Sequence, residues 1–386
     1  MRLIIILKQL SLFYYKIKLN TTKFVFSQVL RYEQSNMRVT IMKEFPEIKV
    51  PLNQIYEMSL APVQTNALVA GVELAIFDQL SKPIRAEELA EKCGFDARTT
   101  AEYLNVLTAC ELVTKKNGFY QNSPMAEQYL VTSRPTYYGD LILFEYERLS
   151  MSPKKIAELV KNGPAFPEEK GMNSEEFWIQ YAKSMANWER SGTAQKIADI
   201  ISALPEFSSM RKMLDLGGGP GLVGIAVLSR HPSMEGVVFD QPAVVNVTAE
   251  FIAEYGLSDR ITTIGGDYLN DHLGSGYDMI LASCTLNFAK GCMDKMVKKI
   301  YDALNPGGIF VSLHDGIYDE GTKPSIHILG MMPSALSGYN CSLSKGFIVD
   351  SILNAGFRSV RSQTINFDAG PLDVDIARKN TEVTED

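Results

Sequence analysis

The stretch Met213-Leu214-Asp215-Leu216-Gly217-Gly218-Gly219-Pro220-Gly221 constrains this chain more than any other. An apolar run ends in an acid and a glycine-rich turn, and a helical pattern follows over Leu222 to Leu228. Glycines are required where a chain leaving a strand turns tightly and lets a ligand touch its backbone, because a Cβ there would clash or forbid the φ. A second apolar run, Gly236-Val237-Val238-Phe239, ends at Asp240, nineteen residues after Gly221. In a doubly wound sheet that carboxylate stands at the tip of the second strand, where it accepts hydrogen bonds from both ribose hydroxyls of a nucleoside. Many glycine turns bind nothing, so the turn alone is a weak sign, and the acid in register at the next strand end gives it weight.

Later strand ends extend the pattern. Ile261-Thr262-Thr263-Ile264 reads as a short strand that delivers Gly265-Gly266-Asp267-Tyr268 to the same edge, where a carboxylate and a flat ring suit an adenine amino group and ring face. Tyr277 to Ser283 reads as a fourth strand, with Asp278 at its start as a structural residue. A helix at about 293 to 303, the turn Asn305-Pro306-Gly307-Gly308 and the strand Ile309-Phe310-Val311-Ser312-Leu313 complete the series. This order resembles the class I S-adenosylmethionine (AdoMet) methyltransferases. Two positions past Gly221 the chain has Val223 and only then Gly224, so it lacks the small residue that a pyrophosphate-binding fingerprint carries there. AdoMet has no phosphate, and the methyltransferase resemblance therefore ranks ahead of a nicotinamide enzyme.

At 386 residues the chain has length for two or three domains and an ample core. A net charge of −7 argues against nucleic acid as the main partner. The cysteines Cys93, Cys110, Cys284, Cys292 and Cys341 are scattered without a C-x-x-C pair, which reads as reduced thiols of a cytoplasmic protein; no metal site is expected. In the first 41 residues, Lys8, Lys16, Lys18 and Lys23 interrupt the apolar character, so no run approaches the ~18 apolar residues of a membrane span. A secretory signal is not expected, for want of a continuous apolar region and a small-residue cleavage pattern. The expected explanation is a start upstream of the true one, with Met37 or Met42 as the candidates. A short extra strand or arm is the runner-up, and the basic, acid-poor character also allows an organelle presequence.

From Asn53 to about Val131 a helical unit can be traced. Ala67 to Asp78 is nearly apolar all round, which predicts a helix buried on most faces by a second subunit. Arg85 to Ala90 and Asp96 to Cys110 follow in helix-turn-helix rhythm, with Asp96 as N-cap and Tyr103, Leu104 and Leu107 facing a core. Asn117-Gly118 predicts a tight hairpin, the wing of a winged helix. Such a unit suits DNA, but its second helix offers Arg98 against Asp96 and Glu102, too little positive charge, so dimerisation is the better reading.

With that unit in front, about residues 53 to 375 resemble the family of plant phenolic O-methyltransferases, acetylserotonin methyltransferase and bacterial antibiotic-tailoring enzymes. The resemblance runs through Glu87-Glu88-Leu89-Ala90, the wing, the loop at 215 to 221, Gly266-Asp267, Asn305 to Gly308 and Ala355-Gly356-Phe357. It implies an α/β protein with a Rossmann-like AdoMet methyltransferase sheet, preceded by an α-rich winged-helix dimerisation domain. The expected divisions are an extension over 1–52, the dimerisation domain over 53–135, linker and pocket helices over 136–205, the AdoMet domain over 206–378 and a tail over 379–386. The family also implies a homodimer in which one subunit helps close its partner's substrate pocket, and AdoMet contacts at Gly217, Gly219, Asp240, Asp267, Tyr268 and Ser283. The last position is usually Lys or Arg in the family.

The departure from the family lies in the chemistry. Where the family has a base histidine, this chain reads Thr285-Leu286-Asn287-Phe288, and Asn287 orients an atom without taking its proton. One of the two acids that flank the family's base falls on Asp315, and the other falls near Cys341. A methyl transfer from a sulfonium mainly requires in-line positioning, so an acceptor that ionises easily needs no base. His314, beside Asp315, and His327 are the alternative bases, with a core or pocket role as the plainer reading of each. Phe177, Trp178, Tyr181, Met185 and Trp188 recur at helical spacing, joined by Met331 and Met332. They fit an aromatic-lined cavity for a flat small molecule, or else a core stripe between domains. The expected function is methyl transfer to such a molecule, oxygen first among acceptor atoms. The alternatives are a relative that binds AdoMet with lost or altered activity, and a winged-helix DNA-binding regulator.

Overall fold

The computed structural model describes residues 28–30, 39–41, 45–164 and 174–381. Residues 1–61 and 62–386 form two units. In the first, Gln28–Leu30 and Val39–Ile41 pair antiparallel, with Gln28 opposite Ile41. A short extra strand is the runner-up reading of this segment, and the candidate starts Met37 and Met42 lie outside the described residues.

Helix α1 spans Asn53–Glu73, and the chain leaves it through Ala75 in the left-handed region, φ 48°. Ala67, Val72, Ile76 and Phe77 then pack with Leu89, Leu104 and Leu107 of the chain's own helices at Ala86–Cys93 and Ala97–Ala109. Gly71 permits the close approach, because a Cβ there would lie 2.8 Å from the Phe77 ring, and Tyr103 donates its hydroxyl to the Ala67 carbonyl at 2.6 Å. The expectation that a second subunit buries residues 67–78 is thus corrected: their own chain covers them. The apolar surface left open lies earlier, at Ile55, Tyr56, Met58, Leu60 and Val63. Asp96 caps its helix through the Thr99 amide at 2.8 Å. Val113–Lys116 pairs with Phe119–Asn122 across Asn117 and Gly118, φ 51° and 82°, the conformation a two-residue hairpin turn requires.

The second half is built on a seven-stranded sheet. Its strands are β1 Lys212–Leu216, β2 Glu235–Asp240, β3 Ile261–Gly265, β4 Tyr277–Ser283, β5 Leu304–His314, β6 Ser359–Phe367 and β7 Gly370–Arg378, in the order β6-β7-β5-β4-β1-β2-β3. The β1 to β5 pairings are parallel, and β7 runs antiparallel to both of its neighbours. Both faces are apolar, as a sheet covered on two sides requires. Met213, Ile309, Val311 and Leu313 join one core, and Leu214, Leu216, Ile280 and Phe310 the other. Asp278 ties the sheet's far edge, accepting from the Arg211 and Lys212 amides and from Asn305 Nδ2.

Two details differ from expectation. The Asn305–Gly308 turn lies inside β5 as a bulge, since Tyr277 faces Leu304 while Met279 faces Ile309. The same strand continues to His314, which pairs with Asp373 of β7 rather than standing past the strand. Helix α2, Glu175–Trp188, packs against helix α4, Pro242–Glu254, and helix α3, Leu222–Ser229, opens directly from the glycine turn.

Candidate active site

At the C-terminal ends of β1 to β4, a cavity of about 900 Å³ opens between the glycine turn and α2. Parallel sheets of this type meet their ligands at that edge. Trp178, Tyr181, Met185 and Trp188 of α2 line it, as do Gly217, Gly219, Asp240, Asp267, Tyr268 and Ser283. These ten residues from the sequence reading share one wall system.

The turn has little freedom. Gly217 sits at φ 61°, donates its amide to the Phe239 carbonyl at 2.7 Å, and a Cβ on it would fall 2.0 Å from Thr285 Oγ1. Asp240 closes β2 and accepts the Gly219 amide at 2.8 Å and the Gln241 amide at 2.7 Å. Burial pushes the Asp240 carboxyl above the usual range, and the two amides draw it back. Asp267 accepts the Leu269 amide at 2.9 Å and Asn270 Nδ2 at 2.6 Å. Tyr268 places its hydroxyl 2.8 Å from Thr285 Oγ1 and 3.0 Å from the Thr285 carbonyl, and burial raises its pKa. Ser283 Oγ is buried without a protein partner.

Two acids complete the loop side. Asp215, 1% exposed, accepts the Gly224 amide at 3.1 Å through Oδ2, while Oδ1 has no partner. Burial pushes its pKa up to about 7. Glu189 accepts the Val223 amide at 3.2 Å; burial, and then the Asp215 charge, hold its pKa well above the carboxylate range. Sequence reasoning passed over Glu189, although it continues the spacing of Tyr181 and Met185 by one more helical turn and is the acid in an apolar stripe. Thr285, Phe288 and Tyr339 also line the cavity, without a sequence signal that would have marked them.

The proposed chemical residues are placed differently. Asn287 does not line the cavity, although Thr285 and Phe288 do, and it donates Nδ2 to Asp315 Oδ1 at 2.6 Å and to the Cys341 carbonyl at 3.2 Å. Both partners only accept, so the amide orientation is fixed and Oδ1, buried and unpaired, is left as an acceptor. His314 is outside the cavity lining, 0% exposed, with Nδ1 3.9 Å from Asp375 Oδ2. Burial lowers its pKa against the pull of Asp375, Asp373 and Asp315. His327 meets the Pro371 carbonyl at 2.6 Å, and neither it nor Met331 lines the cavity.

An acid at the second strand's tip and a glycine turn packed too closely for a Cβ fit a nucleoside cofactor. Together with the strand order, they define an AdoMet-dependent methyltransferase. The O-methyltransferase domain family matches residues 162–331, and the O-methyltransferase dimerisation domain matches residues 56–132. The chain belongs to this O-methyltransferase family, and its cofactor is AdoMet. The N,N-dimethyltransferase OxyT of Streptomyces rimosus is 27% identical, covering 81% of this chain and 92% of that protein. The 3-hydroxy-5-methyl-1-naphthoate 3-O-methyltransferase of Streptomyces sahachiroi is also 27% identical, covering 78% and 87%. In fold, the chain is similar to human N-acetylserotonin methyltransferase in complex with SAM, at TM-score 0.68 and 21% identity over 85% of this chain and 97% of that one.

Proposed function

We propose that this enzyme methylates a small, flat aromatic molecule that ionises without help from the protein, oxygen being the first acceptor atom. The observation that carries this reading is the single cavity joining the glycine turn and Asp240 to the aromatic face of α2. AdoMet, when bound, supplies a methyl group on a sulfonium whose departure leaves a neutral thioether. Gly217, Gly219 and Asp240 hold the ribose side, and Asp267, Tyr268 and Ser283 the adenine side. Trp178 and Phe288, whose rings cross at 78° with centroids 5.5 Å apart, wall the acceptor with Tyr181, Met185 and Trp188.

Among the described residues, no histidine lines the cavity. Burial pushes Tyr181 and Cys284 up to about 12, so both stay neutral at pH 7 and neither removes a proton. Asp215 and Glu189 belong to the loop side, which leaves the acceptor to ionise by itself. Asn287, held by Asp315 and the Cys341 carbonyl outside the lining, acts by fixing the segment that carries Thr285 and Phe288 into the wall. His314 and His327 are structural in this reading, and Met331 shapes the surroundings of the pocket.

The protein acts as a cytoplasmic homodimer through a winged-helix domain over 53–135. Residues 136–205 form linker and pocket helices, and 206–378 the AdoMet domain. The open apolar residues of α1 and the five unpaired cysteines support this assignment. Incubation with labelled AdoMet and a panel of phenols, enols, thiols and aromatic amines tests the function. Transfer to the more acidic members is expected. Tight AdoMet binding without transfer to any member would refute it in favour of a relative that has lost methyl transfer, which no comparison supports.

A further inference from the structure

Three successive carbonyls of one loop meet two side chains of another. The helix Ser325–Leu336 ends at Gly338, φ 90°, where the Gly338 amide returns to the Ala335 carbonyl at 3.2 Å and the Tyr339 amide to the Ser334 carbonyl at 2.9 Å. This pair of bonds around a left-handed glycine stops a helix and fixes the direction in which the chain leaves it. Tyr339 leaves into the cavity wall. Asn340 Oδ1 then accepts the Ser342 amide at 3.1 Å in an Asx turn, and at Leu343 the chain is buried and paired with Gly316. Facing this loop is the short helix Leu286–Cys292, which carries Phe288 into the same cavity just after Thr285.

The two are tied at three points. Lys290 Nζ donates to the Asn340 carbonyl at 3.2 Å and to the Ser342 carbonyl at 2.7 Å, and Asn287 Nδ2 donates to the Cys341 carbonyl between them at 3.2 Å. An ammonium has three donors and no acceptor, so it serves two carbonyls at once. The tied loop bears on both ligand sides: Tyr339 lies within electrostatic reach of Tyr268, and Cys341 within reach of Tyr181. The cofactor side has anchors of its own, since Thr285 holds the Tyr268 hydroxyl and Lys299 donates to the Tyr268 carbonyl at 2.8 Å. On the acceptor side Phe288 meets the Trp178 ring, so a shift of the short helix is a shift of the acceptor wall. Lys290 itself is exposed and does not line the cavity.

We infer that Lys290 is a positioning residue for methyl transfer: by tying residues 340–342 to the short helix at 286–292, it sets Tyr339 against Phe288 and so fixes the space in which the acceptor is aligned. The inference rests on the cavity receiving an aromatic acceptor beside α2. In-line displacement tolerates little freedom, and a misplacement of about 1 Å costs on the order of 10²-fold in rate. Without the tie, Tyr339 and Phe288 move independently, the acceptor takes up more orientations, and fewer of them are in line with the methyl group. Lys290 acts only through these two walls.

The test compares wild type, Lys290→Met and Lys290→Arg, using labelled AdoMet and whichever phenol, enol, thiol or aromatic amine the wild type methylates fastest. Lys290→Met keeps the stem and loses the donors. Its kcat/KM for the acceptor should fall about 10-fold or more, while its AdoMet affinity by calorimetry stays within about 2-fold and its melting temperature matches wild type. Lys290→Arg still offers N–H groups to both carbonyls and should recover most of the loss. An unchanged acceptor kcat/KM in Lys290→Met would overturn the inference. So would a loss of AdoMet affinity as large as the loss toward the acceptor, or no recovery in Lys290→Arg, since either marks a general effect on the fold. Hydrogen exchange of the amides of 339–343 in the AdoMet complex reads the tie without an acceptor: it should quicken by about 10-fold or more in Lys290→Met, and unchanged exchange would overturn the tie. Absence of transfer from wild type to every member of the panel would instead overturn the acceptor reading itself, and the inference with it.

Discussion

Asp215→Asn should alter the pH dependence of folding in the absence of cofactor. In the folded protein, burial holds the Asp215 carboxyl at about 7, against 3.8 for the free side chain. The folded state therefore binds the proton more tightly than the unfolded chain. The stability from this group is fully present below pH ~4 and is lost as pH rises toward 7 and above. A shift of roughly 3 units, at about 1.4 kcal/mol each, corresponds to about 4 kcal/mol between pH 4 and pH 8. The side chain is sealed, so solvent screening removes little of this. Asparagine cannot titrate; it keeps an acceptor for the Gly224 amide and introduces an offset of about 1–2 kcal/mol that is independent of pH. Glu189 leaves the variant with a smaller slope, since part of its raised pKa comes from the Asp215 charge. Urea unfolding at half-unit steps from pH 4.5 to 8.5 reads the difference directly. Wild type should lose ground to the variant steadily as pH rises. Two parallel stability curves would show that Asp215 is ionised in the fold at all these pH values, and would refute the reasoning.

Asp240→Ala removes the carboxylate at the tip of β2, and AdoMet should bind about 10- to 150-fold more weakly, from about 1.5–3 kcal/mol for a charged hydrogen bond; unchanged affinity by calorimetry would exclude Asp240 as a cofactor ligand. His314→Ala should lower the melting temperature while leaving the pH–rate profile of the remaining enzyme unchanged. A folded variant losing about 10²-fold in turnover, partly restored at high pH, would instead make His314 a base. Ile55→Asp combined with Met58→Asp should convert a dimer into a monomer, because these two exposed apolar residues, at 68% and 69%, lie on the open part of α1. Sedimentation at micromolar concentration checks this, and a persistent dimer would place the interface elsewhere.

The elements whose form depends on neighbours in sequence were readable in advance. Asn117-Gly118 dictates its hairpin, Asp96 its helix start, and the glycines of 217 to 221 the turn that leads into α3. Asp240, Asp267 and Tyr268 followed because parallel strands deliver their ends to one edge. What escaped depends on distant pairing. His314 looked like a residue past a strand end, and nothing local announces that β7 returns antiparallel and covers it with Asp373 and Asp375. Residues 67–78 looked like a subunit interface because apolar character shows that a surface is covered, without showing which chain covers it. Glu189 escaped because nothing in helical spacing shows that the Val223 amide of α3 meets it and that it is buried.

Thr285 has a consequence for anyone reshaping this enzyme. Its Oγ1 occupies the space a Cβ on Gly217 would need and meets the Tyr268 hydroxyl, while its neighbourhood forms part of the acceptor wall. One small side chain is therefore a shared hinge-pin between the cofactor turn, the adenine side and the acceptor side. Enlarging position 285 to favour a smaller acceptor would press on the Gly217 turn, and trimming it would free Tyr268. Acceptor range and cofactor retention are coupled at that position.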